Sequence, residues 1–314
     1  MNKARAFPGP EFVRKARCKE WRAFQLGNER WLILAALYEA KLVNMGMVYV
    51  WDKVNRKMYS YTHSQLISNF GIARKMDGDA IGFSTRASKL HIVTDLSGSN
   101  ITLCGATRKT YGRPAFSFCF SLNPADKHVR PMSVVLPFSS ERGMYSMKSL
   151  MPVHGWMEIG SDRFDFNEAE TLGVFDDHKG YYPYRMRYNW VTGFGFDGKG
   201  RRVAFNLTEN QVIQQRQYNE NVLWVNNKLH TLPPIKITRP EGVKKPWHIQ
   251  DVEGLVDLVF IPDRSNRIRI NALVAEIDYH GPFGSFTGTL KTNDGEKLDP
   301  AGLYGMGEQK YLRV

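Results

Sequence analysis

The sequence predicts an all-β protein built as barrels or sandwiches. Three observations carry this: apolar residues recur with period two in segment after segment, tight-turn dipeptides stand between those segments, and long amphipathic helices are nearly absent. The first series of predicted strands covers 30–42, 46–53, 90–96, 101–106, 115–122 and 131–138. Segment 30–42 is apolar on both faces, which calls for a strand buried on both sides. Segment 46–53 places Met47, Tyr49 and Trp51 on one face. A second series covers 185–196, 201–207, 222–225, 228–232, 256–261, 268–278, 284–291 and 308–314.

Turn chemistry joins the later strands. Asp197-Gly198, Asn226-Asn227 and Asp294-Gly295 each separate two short apolar runs. Residues of these types reach the left-handed backbone that short hairpins require. The most helix-like stretch, 209–221, is too polar to bury a face, and 167–172 has room for a single turn.

With 314 residues the chain is long for one core, so two domains are expected. The polar segment 165–173 lies between the two strand series and sets the division at 1–165 and 166–314. Composition is ordinary for a folded protein, at 42% hydrophobic and 24% charged, which argues against disorder. Aromatics are abundant, with 7 Trp, 14 Tyr and 18 Phe, and suit strands and apolar pockets.

Several classes are disfavoured. The longest apolar run, from Trp31 to Tyr38, is far below the roughly 20 residues of a membrane span. The N-terminal stretch is basic but has no apolar region of the secretory kind. Three cysteines (Cys18, Cys104, Cys119) without a CxxC pair argue against a disulfide framework and against a zinc site. These features together predict a cytoplasmic protein with no membrane span. The net charge of +12 raises nucleic acid as a partner. Residues 1–30 alone hold eight Lys/Arg against three Glu, and the rest is scattered. No nucleic-acid-binding motif accompanies the charge, so a solvated basic surface is the preferred reading. There is no Walker A, GxGxxG or GxSxG motif, and Gly-rich 193–200 reads as a hairpin. No cofactor and no metal are therefore expected, and the oligomeric state is left open.

The densest polar and aromatic stretch, 174–192, contains Asp176, Asp177, His178, Tyr181, Tyr182, Tyr184, Arg185 and Trp190. On a strand, Asp176 and His178 share a face and Asp177 takes the other. A carboxylate beside an imidazole is suited to acid/base chemistry; the competing reading is a solvated loop. A second constellation is Asn219-Glu220-Asn221 ahead of Trp224. It could satisfy backbone groups at a strand entry, or hold a substrate oxygen with Glu220 as the acid. Asp176, His178 and Glu220 are the acid/base candidates. Tyr182, Arg185, Trp190, Asn219, Asn221 and Trp224 are the substrate-binding candidates.

The ordered segments DDHKGYYPYRMRYNW (Asp176 to Trp190), VAFNLT (Val203 to Thr208), NENVLWVNNKLHTLPPI (Asn219 to Ile235), VDLVFIP (Val256 to Pro262) and YGMGE (Tyr304 to Glu308) resemble the DUF2804 family. KEW (Lys19 to Trp21) and YSMKSLMPVHG (Tyr145 to Gly155) extend the resemblance over nearly the whole chain. That family is distantly similar to carotenoid hydratases, AttH-like proteins, tocopherol cyclases and lipocalin-like Diels–Alderases. The resemblance implies two lipocalin-like antiparallel barrels in tandem and a pocket for a largely apolar small molecule. It also implies hydration, cyclisation or isomerisation chemistry without a redox cofactor. A non-catalytic lipocalin-like carrier of an apolar ligand is the alternative.

Overall fold

The structure is a computed structural model that describes residues 8–39, 41, 43–66, 77–95, 100–123, 130–272 and 275–313. It is all-β, apart from a seven-residue helix α1 (Glu11–Arg17) and one 3-10 turn (Pro300–Gly302). The first strands are β1 (Lys19–Gly27), β2 (Trp31–Glu39), β3 (Val43–Asp52), β4 (Lys57–Leu66), β5 (Asp79–Ser84) and β6 (Ser88–Asp95). There follow β7 (Asn100–Thr107), β8 (Phe116–Leu122), β9 (Met132–Pro137), β10 (Gly143–Ile159), β11 (Asp162–Phe166) and β12 (Leu172–Gly180). They form one sheet in the order β4-β3-β2-β1-β12-β10-β8-β7-β6-β5, with β9 and β11 also paired to β10.

The remaining strands are β13 (Arg185–Phe196), β14 (Arg202–Glu209), β15 (Val222–Val225), β16 (Lys228–Thr231), β17 (Ile235–Thr238) and β18 (Trp247–Asp251). After them come β19 (Val256–Arg264), β20 (Arg267–Ala272), β21 (Ala275–His280), β22 (Phe283–Lys291), β23 (Lys297–Leu298) and β24 (Leu303–Arg313). Their order is β16-β15-β14-β13-β24-β22-β19-β18-β17, with β21 against β24, β20 against β21 and β23 against β22.

The chain divides into two compact units, 1–129 with 147–180, and 130–146 with 181–314. The last passage between the units follows Gly180. The reason is β12, which lies beyond the polar segment but pairs along its whole length with β1. Within the first unit the sheet curls, so that Phe24, Ile33, Val50, Ile92, Leu103, Phe120 and Val153 join one apolar cluster. In the second unit Val191, Phe205, Leu223, Trp247, Leu258 and Phe286 do the same. Both cores are filled by aromatic rings in contact: Phe118–Phe120 at 5.6 Å and Phe205–Phe286 at 4.8 Å between centroids. Much of the aromatic content thus packs against itself inside the sheets.

The hairpins expected at Asp197-Gly198, Asn226-Asn227 and Asp294-Gly295 are present. Asn226 and Gly295 take the positive φ that such turns use, at 50° and 87°. Two differences from the sequence reading stand out, at 268–278 and at the cysteines. Segment 268–278 is two paired strands, β20 and β21. Segment 209–221 is mostly turns, in keeping with its lack of an apolar face. The expected strand ends at Leu42, Leu96 and Val314 lie outside the described residues. The cysteines also correct the expectation: Cys104 and Cys119 face each other across β7 and β8 and form a disulfide. Sequence spacing could not reveal that register. Among the described residues no helix is long and apolar enough to cross a membrane.

Candidate functional site

In the first unit, alternation decides which residues can meet. Phe24 on β1, Phe175 on β12 and Val153 on β10 point into the core. Trp21, Asp176, His178 and Lys148 therefore occupy the opposite face of the sheet. They are nevertheless buried: the Lys148, His178 and Asp176 side chains are 1%, 1% and 8% exposed. The Lys148 Nζ donates to Asp176 Oδ1 at 2.7 Å and lies 2.8 Å from His178 Nε2. His178 Nε2 is itself 2.7 Å from Asp176 Oδ1. Three titratable groups thus meet around one point, and the indole of Trp21 stacks on the imidazole.

Burial alone would raise the Asp176 pKa. The positive charges and hydrogen bonds of His178 and Lys148 reverse that and hold it well below the usual carboxylate range. Asp176 is accordingly an anion in the folded protein, not the raised-pKa acid that a desolvated carboxylate would be. Asp177 turns to the core face and meets the Arg22 Nε at 2.8 Å. There burial prevails over Arg22 and pushes the Asp177 pKa up. Further along the same face, Lys41 bridges Glu20 and Glu39 at 2.6 and 2.7 Å, and Lys179 also reaches Glu20.

The second unit builds a separate set. Tyr188 and Trp190 on β13 and Asn206 on β14 lie on the face away from the core that Val191 and Phe205 enter. Glu220, fully buried, accepts from Ser146 Oγ at 2.6 Å on one oxygen and from the Tyr188 hydroxyl on the other. Its backbone carbonyl accepts from Asn206 Nδ2 at 2.7 Å, and Asn206 Oδ1 accepts from the Trp190 indole at 2.6 Å.

A family model described as a domain of unknown function, DUF2804, matches residues 10–314. The chain belongs to the DUF2804 family. No curated protein matches its sequence. Among solved structures, this DUF2804 chain resembles kievitone hydratase from Nectria haematococca, with 8% identity and a TM-score of 0.54 over 94% of this chain and 89% of that one. It also resembles a candidate AttH protein from Nitrosomonas europaea, with 10% identity and a TM-score of 0.55 over 95% of this chain and 93% of that one. Identities this low show a shared lipocalin-like fold and no more.

The DUF2804 fold distributes the expected site residues as follows. Asp176 and His178 meet in the first unit, whereas Glu220 belongs to the second unit's set. Asn221 accepts from the Thr208 backbone N–H at 2.7 Å and donates to the Pro233 carbonyl at 2.9 Å. Asn219 accepts from the Asn221 N–H and donates to the Gln215 carbonyl, both at 2.9 Å. Both amides thus brace the backbone around Glu220. The Trp224 indole donates to the Arg130 carbonyl at 3.0 Å. Tyr182 is buried against Phe138, and Arg185 is exposed at the start of β13. Sequence reasoning missed Lys148, Ser146, Tyr188 and Trp21. One available signal was a single charged residue, Lys148, inside the mostly apolar stretch 144–153.

Proposed function

We propose that the chain is a cofactor-independent acid/base lyase or isomerase, of the hydratase or cyclase type, acting on a largely apolar small molecule. The observation that carries this reading is the buried trio of Lys148, Asp176 and His178. Removing three titratable groups from water costs several kcal/mol per ion before their pairing is counted. A lipocalin-like sheet has no need of such a group on the face away from its core. Perturbed, buried titratable clusters are the usual mark of a site.

In this reading His178 moves the proton. Asp176 remains anionic and fixes the imidazole, and Lys148 supplies a second positive charge beside the same nitrogen. For a hydration, His178 would deliver a proton to one carbon of a C=C bond. Water would add to the other carbon, and its surplus proton would return to His178. The elements of one water are then added and the residue is restored. Glu220, set between Tyr188 and Ser146, is the second acid/base candidate. For a substrate held near Glu220 within the second unit, Tyr182, Trp190 and Trp224 would offer apolar contact, Arg185 a polar one, and Asn219 and Asn221 would hold Glu220 in place. Kinship in fold with a protein named as a hydratase supports the reading.

Solvent deuterium tests it. Native mass spectrometry identifies a co-purified small molecule, which is then incubated with the protein in D2O. Deuterium should enter the molecule with wild type and fail to enter with His178→Asn or Asp176→Asn. Ligand retained without deuterium uptake by wild type would instead support a non-catalytic carrier. The reading also proposes a cytoplasmic location, against which the Cys104–Cys119 disulfide counts, since such bonds are rare in that compartment. Differential alkylation of protein from intact cells reports the state of the two cysteines directly.

A further inference from the structure

The core-facing side of β13, β24 and β21 turns polar toward one end. Beyond Val191, which enters the second unit's core, the same face of β13 carries Asn189 and Arg187. Cross-strand register extends these into two rows, Arg187–Tyr311–Asp278 and Asn189–Gln309–His280. Together with Arg239 they line a cavity of about 480 Å³, within the usual range for a small-molecule site.

Two guanidinium groups at this cavity have no ion-pair partner among the described residues. Arg187 is exposed at the rim. Arg239 is half-buried, its guanidinium carbon 4.0 Å from the centroid of the core residue Trp247. Its Nη2 donates to Asn189 Oδ1 at 3.1 Å, but its Nε is buried with no hydrogen-bond partner among the described residues. The other charges present are already matched. Asp278 is gripped by Arg267 at 3.0 Å and lies 3.3 Å from His280, while Lys310 pairs with Glu308 at 2.9 Å. The positive charge of Arg239 is only partly offset, by Glu209. Burial lowers the Arg239 pKa to about 10, and the nearby cations add to burial in holding His280 below its ordinary value.

We propose that this end of the second unit is a binding site for the oxyanion head, carboxylate or phosphate, of a small molecule, anchored by Arg239 with Arg187 at the rim. A planar guanidinium presents paired donors that match either oxyanion. An oxyanion here would supply the acceptor that the buried Nε lacks and offset two unpaired charges. The assignment is independent of the acid/base reading, since it uses none of those residues.

Isothermal titration of the full chain with inorganic phosphate and with benzoate tests it and separates the two sources of the oxyanion. Saturable one-to-one binding of at least one anion is expected. Arg239→Gln should weaken it at least about tenfold and Arg187→Gln about threefold or more, as for charge-assisted hydrogen bonds. Arg216→Gln, on an exposed arginine paired with Glu253, should bind as wild type. If Arg239→Gln perturbs folding, the exposed Arg187 still reports. No binding of either anion at millimolar concentrations would overturn the proposal. So would binding unchanged in Arg187→Gln, or weakened equally by Arg216→Gln.

Discussion

Trp21 and His178 are direct partners across β1 and β12, and their rings stack with centroids 4.4 Å apart and planes inclined by 25°. The indole therefore covers one face of the imidazole at the centre of the buried trio. Replacing it with Leu removes both the cover and the ring current. In Trp21→Leu the His178 ring protons should move downfield in histidine-resolved NMR spectra, and Trp21→Phe should move them less. Stability should fall by about 1 kcal/mol, the usual value of an aromatic pair beyond its buried area. Unmoved His178 signals would show that the stack does not persist in solution.

The Lys148–Asp176 pair is buried on both sides, so breaking it leaves an uncompensated charge. Asp176→Asn or Lys148→Met alone should cost about 3–5 kcal/mol in chemical denaturation. The double variant should lose much less than the sum, because neither charge is then left alone. Additive losses would mean that the two groups do not interact.

The same pair sets a pH dependence. Asp176 has a folded pKa below its unfolded value of 3.8, so the folded state gives up this proton more readily. Its contribution is complete above that value and is lost as pH falls below 3.8 toward the folded pKa. The stability difference between wild type and Asp176→Asn should be constant from about pH 5 to 7 and shrink under more acid conditions. Denaturation midpoints measured from about pH 7 downward check the sign. A difference that grew on acidification would require a raised Asp176 pKa.

What the sequence made legible follows from how local each signal is. The Asp197-Gly198 and Asn226-Asn227 hairpins depend on a few adjacent residues, and β13 and β15 could be bounded to the residue. Strands β1, β10 and β12 escaped because each buries polar side chains, such as Gln25, Lys148 and Asp177, that a sequence reads as solvated. That Asp176 and His178 share a face needed only the two-residue period of a strand. That Lys148 completes the group needed the pairing of β10 with β12, which is tertiary. A lysine within a strand reads as solvated until its partners are known. The same holds for the disulfide of Cys104 and Cys119, whereas the bracing of backbone by Asn219 and Asn221 is one of the two readings that their place before a strand offers.

Two lysines outside the trio should titrate early. Burial lowers both Lys19 and Lys53 to about 8, and the Lys53 Nζ donates to the Asn28 carbonyl at 2.6 Å. NMR titration of 13Cε-labelled lysine should find two resonances with midpoints near pH 8. Lys53→Met and Lys19→Met should each remove one of the two. If every lysine titrates together near 10.5, these ammonium groups are better hydrated than the structure places them.

Gly307 on β24 is a tight point in the second core. A Cβ there would lie 2.5 Å from Trp247 Cζ3 and 2.8 Å from Phe260 Cε1, both in rings that are fully buried. Neither ring is the free end of a flexible chain, so the strain must go into the sheet. Gly307→Ala should destabilise by about 1–3 kcal/mol, as overpacked cores do. Trp247→Phe removes the ring atoms that meet the new methyl, at the expense of a smaller buried ring. It should therefore partly rescue Gly307→Ala, giving a double variant less destabilised than the two single losses combined. Strict additivity would place the clash elsewhere, with Phe260 the remaining neighbour to vary.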